Sequence, residues 1–283
     1  MVNLNILSIK ILFCILFLVS HINIVSAQSF ESELKQTVIQ RFSEPQGFQR
    51  IKVAEGSFAD WLRNLPLKTP GSPVLDFKGC IFKQADDSTV AAVIDLDIQG
   101  RRLEQCMDIL LRLHSSYFTE IRKQDSLAFP MPDGLMLPWK KWHRGWRPEF
   151  KGLHFYLAHK AVTDKSQQNF QSWLNEIYAN IGSHTFYHYY KTIPLADFQI
   201  GDFIVRKNRK GHAVMILDMA VNPQGQKMVM VGQGDTPACE FYILKNRDGS
   251  VWFPVNPNSE YLDLPIKKKM YWEGLRRFPA YTD

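Results

Sequence analysis

Apolar positions recur along this chain with two different periods. In SQQNFQSWLNEIYANI (166–181), Phe170, Trp173, Leu174, Ile177, Tyr178 and Ile181 fall at i, i+3, i+4, i+7 spacing, which predicts an amphipathic helix. Gly182 is expected to close it and Ser183 to cap a short helix after it. LEQCMDILLRLHSSYFTEIR (103–122) repeats apolar residues at Leu103, Met107, Leu110, Leu113 and Tyr117. That is a second helix, with Cys106 in its first turn. SFADWLRNLPL reads as a short helix with Ser57 as N-cap and Asp60 at N3, stopped by Pro66.

The period changes elsewhere. TVAAVIDLDI (89–98) is rich in β-branched residues and reads as a strand ended by Gly100. From Ile200 onward short strands alternate with turns, at 202–206, 212–220, 227–233, 240–245 and 251–254. Residues 127–152 show no period, and their prolines, glycines and aromatics predict an extended loop region. Helices first and an antiparallel sheet afterwards make an α+β class, with the Cys106 helix packed on the C-terminal sheet. Residues 28–283 are expected to form a single domain.

Hairpin arithmetic adds a candidate site. The turn Asn222-Pro223-Gln224-Gly225 suits a type I geometry. Folding about its centre pairs positions that sum to 447, which sets His212 against Asp235 with Gln233 two positions away on the same face. An amide or carboxylate beside a histidine can hold its imidazole in one orientation and tautomer. Either Gln233 or Asp235 fits that role. Cys106 supplies a nucleophile, since a cysteine in the first turn of a helix feels the positive end of the macrodipole, which favours thiolate. The N–H groups there, with Gln105 as a side-chain donor, suit an oxyanion hole. A buried structural cysteine and a strand-end histidine are the plain alternatives.

Composition narrows the setting. Residues 1–27 hold one positive charge (Lys10), the run ILFCILFLV and a small-x-small pattern ending at Ala27. This reads as a secretory signal peptide, too short in its apolar core to anchor, and Cys14 inside it is not read as a lipid attachment. Removing that segment takes away one lysine and no acid, so the formal net charge falls from +6 to +5. So mild a charge, without a Lys/Arg block, speaks against nucleic acid. The expected location is periplasmic or extracellular. Cys80, Cys106 and Cys239 remain, an odd number for an oxidising compartment, so at least one is unpaired or joins another chain.

Two further groups stand out. Trp139, Trp142 and Trp146, interleaved with Arg144 and Arg147, either lock a loop onto the core or line a groove for sugars or peptides. His184 and His188 have chelating i, i+4 spacing but no accompanying glutamate. No metal and no cofactor is expected.

The order of cysteine on a helix, histidine on a strand and polar residue on the next strand resembles papain-like thiol enzymes. GDFIVRK followed by GHAVMIL is similar to the Gly-Asp and His-hydrophobic pattern of NlpC-type cell-wall peptidases, although those carry Asp-Cys at the nucleophile where this chain has Gln105-Cys106. CMDILLRL looks like the Cys-led helix of transglutaminase-like proteins. Over most of 40–278 the chain resembles a family of exported bacterial proteins catalogued as a domain of unknown function. The matching stretches are RFSEPQGFQRI, SFADWLRNLPL, QCMDILLRL, WKKWHRGWRP and GDFIVRKNRKGHAVMILDMA. The resemblances imply a papain-like arrangement and acyl transfer at amide or peptide bonds of a cell-envelope substrate. The alternative is a non-catalytic glycan- or peptide-binding envelope protein of the same fold.

Overall fold

A computed structural model describes residues 36–152, 154–207 and 211–279. The expected signal peptide and Cys14 lie outside these residues. The core is a single antiparallel sheet. Its path runs Leu275–Arg276, Phe203–Val205, Ala213–Val221, Lys227–Gln233, Tyr242–Leu244 and Val90–Val93. Two further strands join its middle, Gln49–Arg50 on Ala213–Val221 and Trp252–Pro254 on Lys227–Gln233. Every residue of 213–220 is buried. A strand covered on both faces needs such an unbroken apolar run, and Ala-Val-Met-Ile-Leu supplies it. The chain is thus mixed α/β around a large antiparallel sheet.

Helices Phe58–Arg63 and Asp108–Glu120 contact the Ala213–Val221 strand of this sheet, and Ser183–Tyr189 contacts Phe203–Val205. Phe58–Arg63 begins at Ser57, whose side chain accepts from the Asp60 N–H at 3.2 Å. Gln167–Asn180 begins at Ser166 in the same way and buries Phe170, Trp173, Leu174 and Ile177. Its end differs from expectation. Gly182 is extended, not left-handed, and serves as N-cap of Ser183–Tyr189, so Ser183 is the first helical residue and not the cap. The cysteine helix is regular only over Asp108–Glu120. It contacts the Ala213–Val221 strand.

The expected loop at 127–152 is corrected by the structure. Ala128–Pro130 pairs with Met136–Pro138, Trp139–Trp142 makes one helical turn, and Trp146–Lys151 pairs with His154–His159. Short two-stranded ribbons tolerate the prolines that hide the period, because each proline removes only one ladder hydrogen bond.

The hairpin of Ala213–Val221 and Lys227–Gln233 shifts register once along its length. Next to the turn the pairs sum to 448 (Val221↔Lys227), and beyond Leu217 they sum to 447 (Ile216↔Val231, Met215↔Gly232). Gly225 accounts for the first value. Its N–H reaches the Asn222 carbonyl at 2.9 Å and it sits at φ +79°, so a left-handed residue is added to the type I turn. A bulge at Leu217 then adds one residue to the other strand and restores 447. The bulge is held by buried Asp218, which accepts from Arg50 Nε at 2.5 Å and Arg63 Nε at 2.7 Å.

Candidate active site

His212 immediately precedes the Ala213–Val221 strand, and Gln233 is the last residue of Lys227–Gln233. Continued to the sheet edge, the 447 register sets His212 opposite Asp235. The side chains choose the diagonal. His212 Nε2 lies 2.7 Å from Gln233 Oε1, both residues being buried. An amide oxygen only accepts, so Nε2 carries the proton and Nδ1 keeps its lone pair. The Gln233 amide N–H donates in turn to the Tyr242 hydroxyl at 2.5 Å. Tyr242 is its cross-strand partner on the third strand. Ring, amide and phenol therefore form one buried line across three strands.

Asp235 is not in that line. Its Oδ1 accepts from the Thr236 N–H at 2.8 Å, and its own N–H donates to the Cys239 sulfur. Its charge still reaches His212. Burial holds the His212 pKa below its ordinary value, against the Gln233 hydrogen bond and the field of Asp235. The imidazole is neutral, and Nδ1 is buried without a hydrogen-bond partner among the described residues.

Cys106 reaches this place through glycine. The strand 227–233 runs on to Gly234, where an added Cβ would stand 2.9 Å from Ile109 Cγ2 and 3.8 Å from the Cys106 Cα. The bare backbone lets the cysteine helix approach. The Cys106 sulfur then receives the N–H of Ala213, the residue after His212. Cys106 lies just before the regular helix rather than inside its first turn, because Met107 is the N-cap. The Ile109 N–H already bonds the Gln105 carbonyl at 3.0 Å, so the turn at 105–109 is helix-like at its mouth.

The expectation of a thiolate is corrected. Burial pushes the Cys106 thiol up to about 11, ahead of the field of Asp108. Burial likewise raises the Asp108 carboxyl well above its usual range. Its Oδ2 accepts from the Gln105 N–H at 3.1 Å. Cys106 and His212 thus form a neutral thiol and a neutral imidazole, with no hydrogen bond joining them. The Gln105 side chain points its Oε1 at the Thr236 hydroxyl, 3.0 Å away, which leaves the amide N–H groups for another acceptor. Cys80, Cys106 and Cys239 are all free thiols, Cys80 exposed and the others buried.

Two clefts open on these residues. One, of about 500 Å³, is lined by His212, Gln233, Asp235 and Tyr242. The other, of about 490 Å³, is lined by Gln105, Cys106, Asp108, Gly211 and Thr236. Lys268 lines both and bonds the Gly211 carbonyl at 3.1 Å. Tyr242, Thr236, Gly234 and Lys268 carry no signal that sequence reasoning detected. Only a pairing of Gln233 with the third strand, summing to 475, would have exposed Tyr242.

Residues 38–273 match the family described as Domain of unknown function (4846). The chain belongs to that family. No curated protein and no solved structure matches it. Among the described residues no helix is long and apolar enough to cross a membrane.

In this family member the aromatic segment sits away from both clefts. Trp139 packs edge-on against Phe170 at 5.0 Å and beside Trp173. Trp142 donates to Asn169 Oδ1 at 2.9 Å and carries the Arg147 guanidinium 4.0 Å above its ring. Both indoles are buried, so their faces are taken up by the core. Trp146 lies half-buried between Lys141 and His159, and Arg144 is exposed. None of Trp139, Trp142, Arg144, Trp146 and Arg147 lines the Cys106 or His212 cleft. His184 and His188 meet edge to face at 4.3 Å, and His184 Nδ1 lies 3.2 Å from the Lys207 carbonyl. Asp202 of the Gly-Asp motif is buried and takes a two-pronged contact from Arg277, at 2.6 and 2.8 Å.

Proposed function

We propose that this chain is an exported thiol hydrolase or acyltransferase of papain-like layout, acting on an amide bond of a cell-envelope substrate. The observation that carries the reading is the His212–Gln233–Tyr242 line, which leaves a neutral, unpartnered Nδ1 one residue from the N–H that holds the Cys106 sulfur. A buried lone pair without a partner is costly, and such orphans concentrate where chemistry uses them.

The chemistry follows general-base lines, because the thiol starts protonated. His212 Nδ1 takes the S–H proton as the sulfur attacks the amide carbon. The C=O π pair moves onto oxygen, where the free N–H groups of Gln105 stabilise the oxyanion. The C–N bond then breaks, and the amine leaves with the proton from Nδ1. Water, or a second amine, attacks the thioester and releases the thiol. Gln233 holds the ring in the Nε2–H tautomer throughout, and Asp235 offsets the charge the ring gains.

A second reading is a binding protein of the same fold without chemistry. It is favoured by one observation, a thiol at about 11 that makes no hydrogen bond with the imidazole. Alkylation separates the two. In a Cys80→Ser background, iodoacetamide at pH 7.5 should modify Cys106, and His212→Ala should slow this more than about tenfold. An intact fold whose Cys106 stays unmodified, or reacts equally without His212, sinks the enzyme reading. Release of amine from cell-wall peptide fragments, lost in Cys106→Ala, then tests the substrate.

A further inference from the structure

Resting on that reading, the structure assigns Lys268 as the anchor for an anionic group on the substrate, so that the preferred substrate carries a carboxylate beside the amide under attack. Lys268 is the residue that the Cys106 and His212 clefts have in common. A ligand spanning the two must pass its ammonium. Among the described residues no carboxylate lies within ion-pair distance of it, and its ammonium donates to one neutral acceptor, the Gly211 carbonyl.

The surroundings sharpen the point. In the cleft that holds Cys106 the carboxyl is that of Asp108, which is buried and turned to the Gln105 N–H at 3.1 Å, so the accessible charge on this side is the Lys268 ammonium. In the His212 cleft, Lys83 is paired with Asp87 at 3.0 Å. Asp235, Lys267 and Lys268 also line that cleft, leaving one cation in excess. Asp235 lines only the His212 side, so an anion beside Lys268 is better accommodated on the Cys106 side, which that carboxylate does not line. Lys268 is only half-buried, so an incoming carboxylate replaces water at the ammonium without first breaking an ion pair.

Two alkylating agents of nearly equal size test this. Iodoacetate is an anion and iodoacetamide is neutral, and both react with the same sulfur. Their rate ratio at Cys106 is therefore insensitive to thiol pKa. In the Cys80→Ser background, the ratio at Cys106 should exceed that of free cysteine by roughly fivefold at low salt, and shrink as salt rises. Lys268→Met should erase the excess and Lys268→Arg should keep it. Lys269→Met, which removes a lysine lining neither cleft, should change nothing. Thermal shift with N-acetyl-alanyl-alanine and with its C-terminal amide gives a readout free of thiol chemistry. The acid should raise Tm in wild type and fail to do so in Lys268→Met, and the amide should act on neither.

Outcomes separate cleanly. Cys106 that reacts with iodoacetamide while its ratio ignores Lys268 overturns the anchor and leaves the thiol reading standing. Cys106 inert to both reagents overturns the thiol reading, and the thermal shift then decides the anchor: no Lys268-dependent preference for the acid overturns it as well.

Discussion

Gln233 offers the most informative single perturbation. Gln233→Leu keeps most of the side-chain volume and removes both ends of the buried line. His212 Nε2–H loses an acceptor at 2.7 Å, and the Tyr242 hydroxyl loses a donor at 2.5 Å. Each orphaned buried group costs about 1–3 kcal/mol, and the gained apolar contact offsets part of this. A net loss of about 2–4 kcal/mol is expected in urea unfolding. The functional effect is separate. Without the amide oxygen, nothing fixes the proton on Nε2, so Nδ1 is protonated in part of the population and cannot accept. The Gln233 bond also raises the His212 pKa, so its removal makes the ring a weaker base. Alkylation of Cys106 at pH 7.5 should fall by about tenfold to a hundredfold. Tyr242→Phe is the comparator. It leaves the His212–Gln233 bond intact and orphans only the amide N–H, so it should cost about 1–2 kcal/mol and slow alkylation by less than about fivefold. Wild-type reactivity in a Gln233→Leu protein that has lost the expected stability would refute the orienting role. Equal damage from Tyr242→Phe would show that the amide position, not its oxygen, is what matters.

Other expectations follow from the same contacts. Asp218→Ala strips two arginines of their shared buried carboxylate and should cost about 3–5 kcal/mol in denaturant unfolding. Gly234→Ala presses a methyl to 2.9 Å from Ile109 Cγ2, which should move the Cys106 turn and slow alkylation several-fold at a stability cost of about 1–3 kcal/mol. Thr236→Val frees the Gln105 amide and should slow acyl transfer while costing under about 1 kcal/mol. His114 stacks on Phe278 at 4.3 Å and is pushed down to about 3 by burial. Its folded pKa lies below its unfolded one, so the stability it confers is complete above pH 6.5 and is lost as pH falls towards 3, by at most roughly 5 kcal/mol. His114→Phe should flatten that stretch of the stability–pH curve.

The sheet was the most legible part of the chain, since strands such as 213–221 and 227–233 are made of β-branched and long apolar residues bounded by turn chemistry. The 127–152 region was not. Its strands are three to six residues long and its ribbons contain Pro130, Pro138 and Pro148, so no period accumulates within any window. Trp139 and Trp142 share one face of a single helical turn, which in sequence looks the same as two tryptophans on a binding loop. Burial alone separates those cases, and burial is a property of what packs on top.

The placement of His212 against the Gln-Gly-Asp end was readable for a reason the sequence does not display. A two-residue reversal at Pro223-Gln224 gives 447, but Gly225 adds a residue and moves the register to 448. Left there, His212 would face position 236, and Gln233 would point to the opposite side of the sheet. The bulge at Leu217 cancels the shift, and it is sustained by Asp218 bonding two arginines from segments more than 150 residues away. Gly232 makes room for it, since a Cβ there would meet Leu217 Cδ1 at 2.8 Å. The geometry of the candidate site therefore depends on an ion-paired bulge remote from its chemistry. Substituting Arg50 or Arg63 should consequently disturb His212 as well as stability. A Cys106 alkylation rate that falls in Arg63→Met, measured where the protein remains folded, would reveal that link. A rate unchanged there would show that the register near His212 is held by the neighbouring strands alone.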